Sequence, residues 1–225
     1  MNTKSVSRIC GVLYVVTVLA FLASNLFLKE QLVDAENVAS TFERVAENAL
    51  RYRLAVSIDF VGMVAVMALV FSLFVILRPV NRYLALLALG WRIGEVILQA
   101  GAKVADYLLL ALSQSVASPS GSGIAGLEPL GQMLIAGSTW GVGLSWVFFS
   151  VGSIVNNWLF YRSKAIPKIL AIYGLVSTAL YTLGSALALI IDLPESANMV
   201  MLPLVLFELS LGFYLAFVGM KEKAG

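Results

Sequence analysis

The chain has 225 residues, of which 60% are hydrophobic and 12% charged, with a formal net charge of +2 and a mean hydropathy of +0.92. A water-soluble domain carries about 25% charged residues, so a soluble globular fold is excluded, and the small net charge gives no reason to expect nucleic-acid binding. There is no histidine and one cysteine, Cys10. That excludes His-ligated haem, His-rich zinc hydrolase sites, Ser–His or Cys–His dyads and any intrachain disulfide.

Apolar runs of about twenty residues, enough to cross about 30 Å of hydrocarbon, recur at Ile9–Leu28, Leu54–Leu77, Tyr83–Ala111, Leu130–Phe160, Ile169–Ile191 and Ala197–Gly219. The expected fold is all-α: one integral membrane domain over residues 1–225, a six-span bundle. Lys4 and Arg8 precede the first run like a signal peptide's basic region. The apolar stretch exceeds the usual 7–15 residues, however, and Phe21 stands two before Ala23, so a retained anchor is expected.

Between the first two runs, Val38, Phe42, Val45, Ala49 and Tyr52 recur at helical spacing, and Glu36, Glu43, Arg44, Glu47 and Arg51 fill much of the rest. This predicts an extracytoplasmic amphipathic helix over about 35–52, with Asp34 as N-cap and Arg51 and Arg53 in the last turn. It serves either as a connector or as a lid over an outward-facing cavity.

Arg78-Pro79-Val80-Asn81-Arg82 is a tight connection into the third run. Ser118-Pro119-Ser120-Gly121-Ser122-Gly123 has a flexible-linker composition and is expected to be the most mobile segment. In the fourth run, Gly137, Gly141 and Gly143 with Ser138 and Ser145 offer surfaces for close helix approach. Arg162–Lys168 is a second short basic connection, with Pro167 suited to a first helical turn and Ser163 to a helix-end hydrogen bond. Tyr173, Ser177, Tyr181 and Ser185 recur every four residues in the fifth run. With Trp91, Trp140 and Trp146 they would wall an aromatic pocket, although such hydroxyls more often bond neighbouring helices. Trp158 and Tyr161 read as interfacial anchors.

Charge predicts the orientation. With the N-terminus inside, Lys4, Arg8, Arg78, Arg82, Arg162, Lys164, Lys168, Lys221 and Lys223 lie inside, against Lys29, Arg44, Arg51 and Arg53 outside. Both termini are therefore expected on the cytoplasmic side of the cell membrane.

Arg92, Glu95, Gln99, Lys103 and Asp106 fall within roughly 80° of arc on one helix. Charge near a bilayer midplane costs about 2.5–3.5 kcal/mol per residue, so this stripe must face other helices or a wet cavity. Counting about 1.5 Å per residue from Tyr83 puts Arg92 and Glu95 about 13 and 18 Å deep, and Glu208 reaches a similar depth in the last run. Arg92, Glu95 and Glu208 form an expected deep tier, and Asp59, Gln99 and Lys103 an upper one. Lys103 and Asp106 also suit a snorkelling role at the outer boundary.

The deep tier carries a formal −1, and an excess carboxylate in a low dielectric takes up a proton rather than stay ionised. Two uses fit. Arg92 can clasp two carboxylates and hold spans together, or Glu95 or Glu208 can exchange its proton for a cationic or polar ligand.

The motifs Arg8-Ile9-Cys10-Gly11-Val12-Leu13-Tyr14, Leu77-Arg78-Pro79-Val80-Asn81-Arg82, Trp91-Arg92-Ile93-Gly94-Glu95, Tyr161-Arg162-Ser163, Ile166-Pro167-Lys168-Ile169-Leu170 and Phe207-Glu208-Leu209-Ser210 resemble, in order and spacing, domain-of-unknown-function family 4386. The likeness runs from Arg8 to Gly219. It implies a six-span prokaryotic membrane protein, assigns no activity, and places Arg92, Glu95 and Glu208 at the family's polar motifs.

The expected function is binding or transport of a small amphipathic or cationic molecule in an intramembrane polar pocket, in a bilayer and as a homodimer, with no cofactor or metal. The alternatives are a non-catalytic sensor or assembly protein, or a membrane-embedded enzyme with Glu95 or Glu208 as general acid or base.

Overall fold

Long apolar runs bounded by charge clusters satisfy their backbone hydrogen bonds internally as helices. A computed structural model describes residues 2–29, 31–118, 126–188, 190–191 and 199–220, and every regular element among them is helical. In chain order these are α1 (Thr3–Leu22), continuing as a π-helical turn (Ala23–Lys29), α2 (Val38–Glu47), α3 (Ala49–Leu77), α4 (Arg82–Ala117), α5 (Glu128–Ser163), α6 (Lys168–Ala188) and α7 (Met201–Phe217). Five helices are long and apolar enough to cross a membrane: Thr3–Lys29, Ala49–Leu77, Arg82–Ala117, Glu128–Ser163 and Lys168–Ala188. The apolar α7 is shorter, at 17 residues.

Two expectations shift. The helices α4 and α5 each run to 36 residues, about 54 Å at 1.5 Å per residue, well beyond the hydrocarbon core. The amphipathic helix is shorter than 35–52, and its N-cap is Asn37, whose side chain accepts the Ser40 amide at 3.0 Å. Asp34 instead accepts the amides of Glu36 and Asn37 at 3.0 and 3.2 Å, an Asx turn that competes with the capping role. Ala49 and Tyr52, read as part of that helix's apolar face, belong to the first turns of α3. The linker from residue 119 to 123 lies outside the described residues.

The chain divides into two compact units: Met1–Val18, Val64–Ile97 and Gly143–Gly225 in the first, Leu19–Met63 and Leu98–Val142 in the second. In the second unit, Val38, Phe42 and Val45 of α2 pack with Leu32, Tyr52, Leu109, Leu110 and Ile135 into one apolar core. In the first, Cys10, Leu73, Leu77, Phe160, Phe207, Leu211 and Leu215 belong to another; Cys10 is fully buried there, a small apolar packing residue.

Backbones approach closely where α1 meets α7. A Cβ on Gly11 would collide with the Ala216 amide nitrogen, and one on Gly212 would stand 3.0 Å from Tyr14 Cβ and 3.1 Å from the Gly11 carbonyl oxygen. These glycines let the helices touch by backbone. The small-residue surface expected on α5 forms in part: Gly137 and Gly143 face open space, whereas Gly141 meets Ala102 at 3.0 Å, Ser138 donates to Asp106 and Ser145 is fully buried. The spacing of small residues marks where contact is permitted, and their helix's rotation decides whether it occurs.

Replacing Gly11 by Ala is therefore expected to destabilise the purified protein by about 1–3 kcal/mol through overpacking. Gly137→Ala should be neutral or stabilise by up to about 1 kcal/mol through helix propensity. Thermal unfolding followed by size exclusion in detergent measures both.

Candidate functional site

In the first unit, α4 presents Arg92 and Glu95 one turn apart. Their side chains are each 4% exposed, and Arg92 Nη1 lies 2.9 Å from Glu95 Oε2. The guanidinium also reaches Ser153 Oγ at 3.5 Å and stacks over the Phe149 ring with its carbon 4.4 Å from the centroid, a cation–π contact strengthened by exclusion of water. Its alkyl chain fits α5 only because position 152 is glycine: a Cβ there would lie 2.8 Å from Arg92 Cγ. Buried Nε finds no hydrogen-bond partner among the described residues.

Glu208 comes to this cluster from α7. Leu204, Leu211 and Leu215 are buried at i−4, i+3 and i+7 from it, so the half-buried carboxylate shares the packed face of its helix. Its charge acts on Arg92, Glu95, Tyr14 and Tyr181, without a direct ion pair to Arg92. The two-carboxylate clasp is thus half formed: Glu95 holds the arginine, and Glu208 interacts through space.

Aromatic rings flank the cluster. Tyr181 lies 6.0 Å from both Trp146 and Phe149, and Trp91 sits edge-on to Phe148 at 5.0 Å. Trp140, expected in the same wall, is 58% exposed and belongs to the second unit. Of the α6 hydroxyls, Tyr173 donates to the Pro203 carbonyl near the start of α7 at 2.8 Å. Ser177 and Ser185 donate to carbonyls of their own helix.

The second unit holds a different arrangement. Lys29 Nζ lies 2.9 Å from Asp59 and 2.6 Å from Asp106, and Lys103 Nζ lies 2.9 and 3.0 Å from the same two carboxylates. Ser138 donates to the other Asp106 oxygen at 2.7 Å. The Lys29 ammonium sits 5.8 Å from the Tyr52 ring centre. The Tyr52 hydroxyl feels the Asp106 carboxylate but makes no well-formed hydrogen bond. The four ionic side chains are 8–15% exposed, and two cations balance two anions.

Asp59 and Lys103 meet as expected, and Gln99 lies half-buried one turn before Lys103. Lys103 and Asp106 are held in this quartet rather than snorkelling. Lys29 was missed, because it reads as the first residue of an outer loop. The π-helical turn carries it back among the helices, and Arg51 caps that turn by donating to the Phe27 carbonyl at 2.6 Å. Wide turns of this kind recur at functional sites. Asn157 is a second buried polar residue without a sequence signal, donating to the Gly174 carbonyl and to Thr178 Oγ1. Among the described residues no group of His, Cys, Asp and Glu is arranged to hold a metal.

Removing one member of a buried ion pair strands its partner and costs about 3–5 kcal/mol. Lys29→Met should therefore lower stability by about that amount. Adding Asp59→Asn, which restores neutrality around Lys103 and Asp106, should recover at least about half of it in a double-mutant cycle.

No curated protein and no solved structure matches this chain. The family described as Domain of unknown function (DUF4386) matches it over residues 9–219, nearly end to end. The chain is a membrane protein of that family.

Proposed function

We propose that this protein binds, and exchanges for a proton, a small amphipathic or cationic molecule at Arg92, Glu95 and Glu208. The observation that carries the reading is the charge of this cluster. One arginine, already paired with Glu95 at 2.9 Å, faces two carboxylates, so one negative charge lacks a dedicated cation. A cationic ligand supplies that charge when Glu208 releases its proton, and the neighbouring rings of Phe149, Tyr181 and Trp146 suit an organic cation's apolar body. In this reading the chain forms six spans, α7 being the last, with both termini cytoplasmic and α2 on the outer face. A bundle this small works as a homodimer.

A second reading has one specific support. The close seating of Arg92 against Gly152 suits a static clasp, which serves a sensor or assembly protein as well as a carrier.

Because ligand and proton compete, the affinity of a cation such as ethidium, measured by equilibrium dialysis with purified protein, should rise with pH by up to tenfold per unit while Glu208 titrates. Glu208→Gln should bind weakly and independently of pH. Uptake of ethidium into proteoliposomes should move protons the opposite way. Flat profiles for both proteins would leave the clasp as the surviving reading.

A further inference from the structure

Beside the hairpin joining α3 to α4 lies an open cavity of about 440 Å³ lined by Phe74, Arg78, Pro79 and Arg82. Its geometry is set by a tight turn in which the Val80 and Asn81 amides donate to the Leu77 carbonyl at 2.9 and 3.4 Å. The Asn81 side chain caps α4 by accepting the Leu84 amide at 3.0 Å. The turn brings Arg78, Pro79 and Arg82 to the lining of one cavity. Neither arginine makes an ion pair among the described residues, although both are exposed at the surface.

Arg82 opens α4, where the helix dipole disfavours a cation. An anion lying between Arg82 and Arg78 removes that conflict, and guanidinium forks match phosphate oxygens better than any other side chain. The remaining walls are apolar. Phe74 and Pro79 form part of the lining, and Phe71, Val75, Tyr83, Leu86 and Leu87 nearby are 40–83% exposed, a surface for hydrocarbon rather than water.

We infer that this cavity binds the phosphate of an anionic phospholipid headgroup, with Arg78 and Arg82 on the phosphate and the acyl chains running along the exposed apolar residues of α3 and α4. The chemistry recognised is a phosphate ester, and the apolar walls assign it to a lipid rather than to a soluble phosphate.

The test uses the full chain in detergent, with native mass spectrometry counting bound phosphatidylglycerol against phosphatidylcholine. The wild type should retain phosphatidylglycerol selectively. The Arg78→Ala/Arg82→Ala double variant should lose about 10–30-fold in affinity, whereas Lys164→Ala/Lys168→Ala, in the other basic connection, should retain it. Arg78→Lys/Arg82→Lys, which keeps the charge and guards against misfolding as the cause, should lose only a few-fold. Glycerol 1-phosphate and inorganic phosphate at millimolar concentration should not displace the lipid. Equal retention of phosphatidylcholine, or binding that survives both double variants of the hairpin, would overturn the site. Displacement by glycerol 1-phosphate at concentrations equal to the lipid's would overturn its assignment to a lipid.

Discussion

The structure depends on the cost of placing charge among apolar helices. A lone ion there is so unfavourable that each charged side chain must meet a partner or give up its charge. Within the described helices that rule explains which residues converge. Lys29, Asp59 and the neighbouring Lys103 and Asp106 come from three separate helical segments and make four contacts of 2.6–3.0 Å. Arg92 and Glu95 solve the same problem within a single turn. Helix contacts elsewhere rest on dispersion and shape, as at Gly11 and Gly212, and on interhelical hydrogen bonds, as from Asn157 and Tyr173, because burying apolar side chains gains little where the surroundings are also apolar.

The legible part of this chain was the part governed by helical geometry. A rotation of 100° per residue aligns Arg92, Glu95, Lys103 and Asp106; Arg92, Glu95 and Asp106 are buried and the Lys103 side chain is 15% exposed. The α2 face of Val38, Phe42 and Val45 emerged the same way. What the sequence concealed depends on departures from regular helix or on partners distant along the chain. Lys29 joins the quartet through a π-helical turn that no hydrophobic period announces. Asp106 looked peripheral because counting about 1.5 Å per residue from Tyr83 puts it beyond the outer boundary, yet its helix continues to Ala117. Asn37 took the cap from Asp34 because both can accept an amide, and the Asp34 carboxylate is already engaged by the Glu36 and Asn37 amides. Gly137 and Gly143 show the same limit from the other side: composition permits contact, but rotation about the helix axis decides it.

The two ionic clusters suit opposite tasks. In the quartet each ammonium touches both carboxylates and charge sums to zero, so any change of partner strands an ion; such an arrangement resists motion. The Arg92 cluster does not close. Its arginine is committed on one side to Glu95 and on its face to Phe149, and its Nε lacks a partner. Glu208 stands on a different helix, half-buried and, among the described residues, without a direct cation. Proton uptake, ligand arrival or a small movement of α7 can each satisfy it without breaking the Arg92–Glu95 pair. If one carboxylate in this protein changes state during function, that asymmetry selects Glu208, with Glu95 as the fixed counter-charge that keeps the arginine in place.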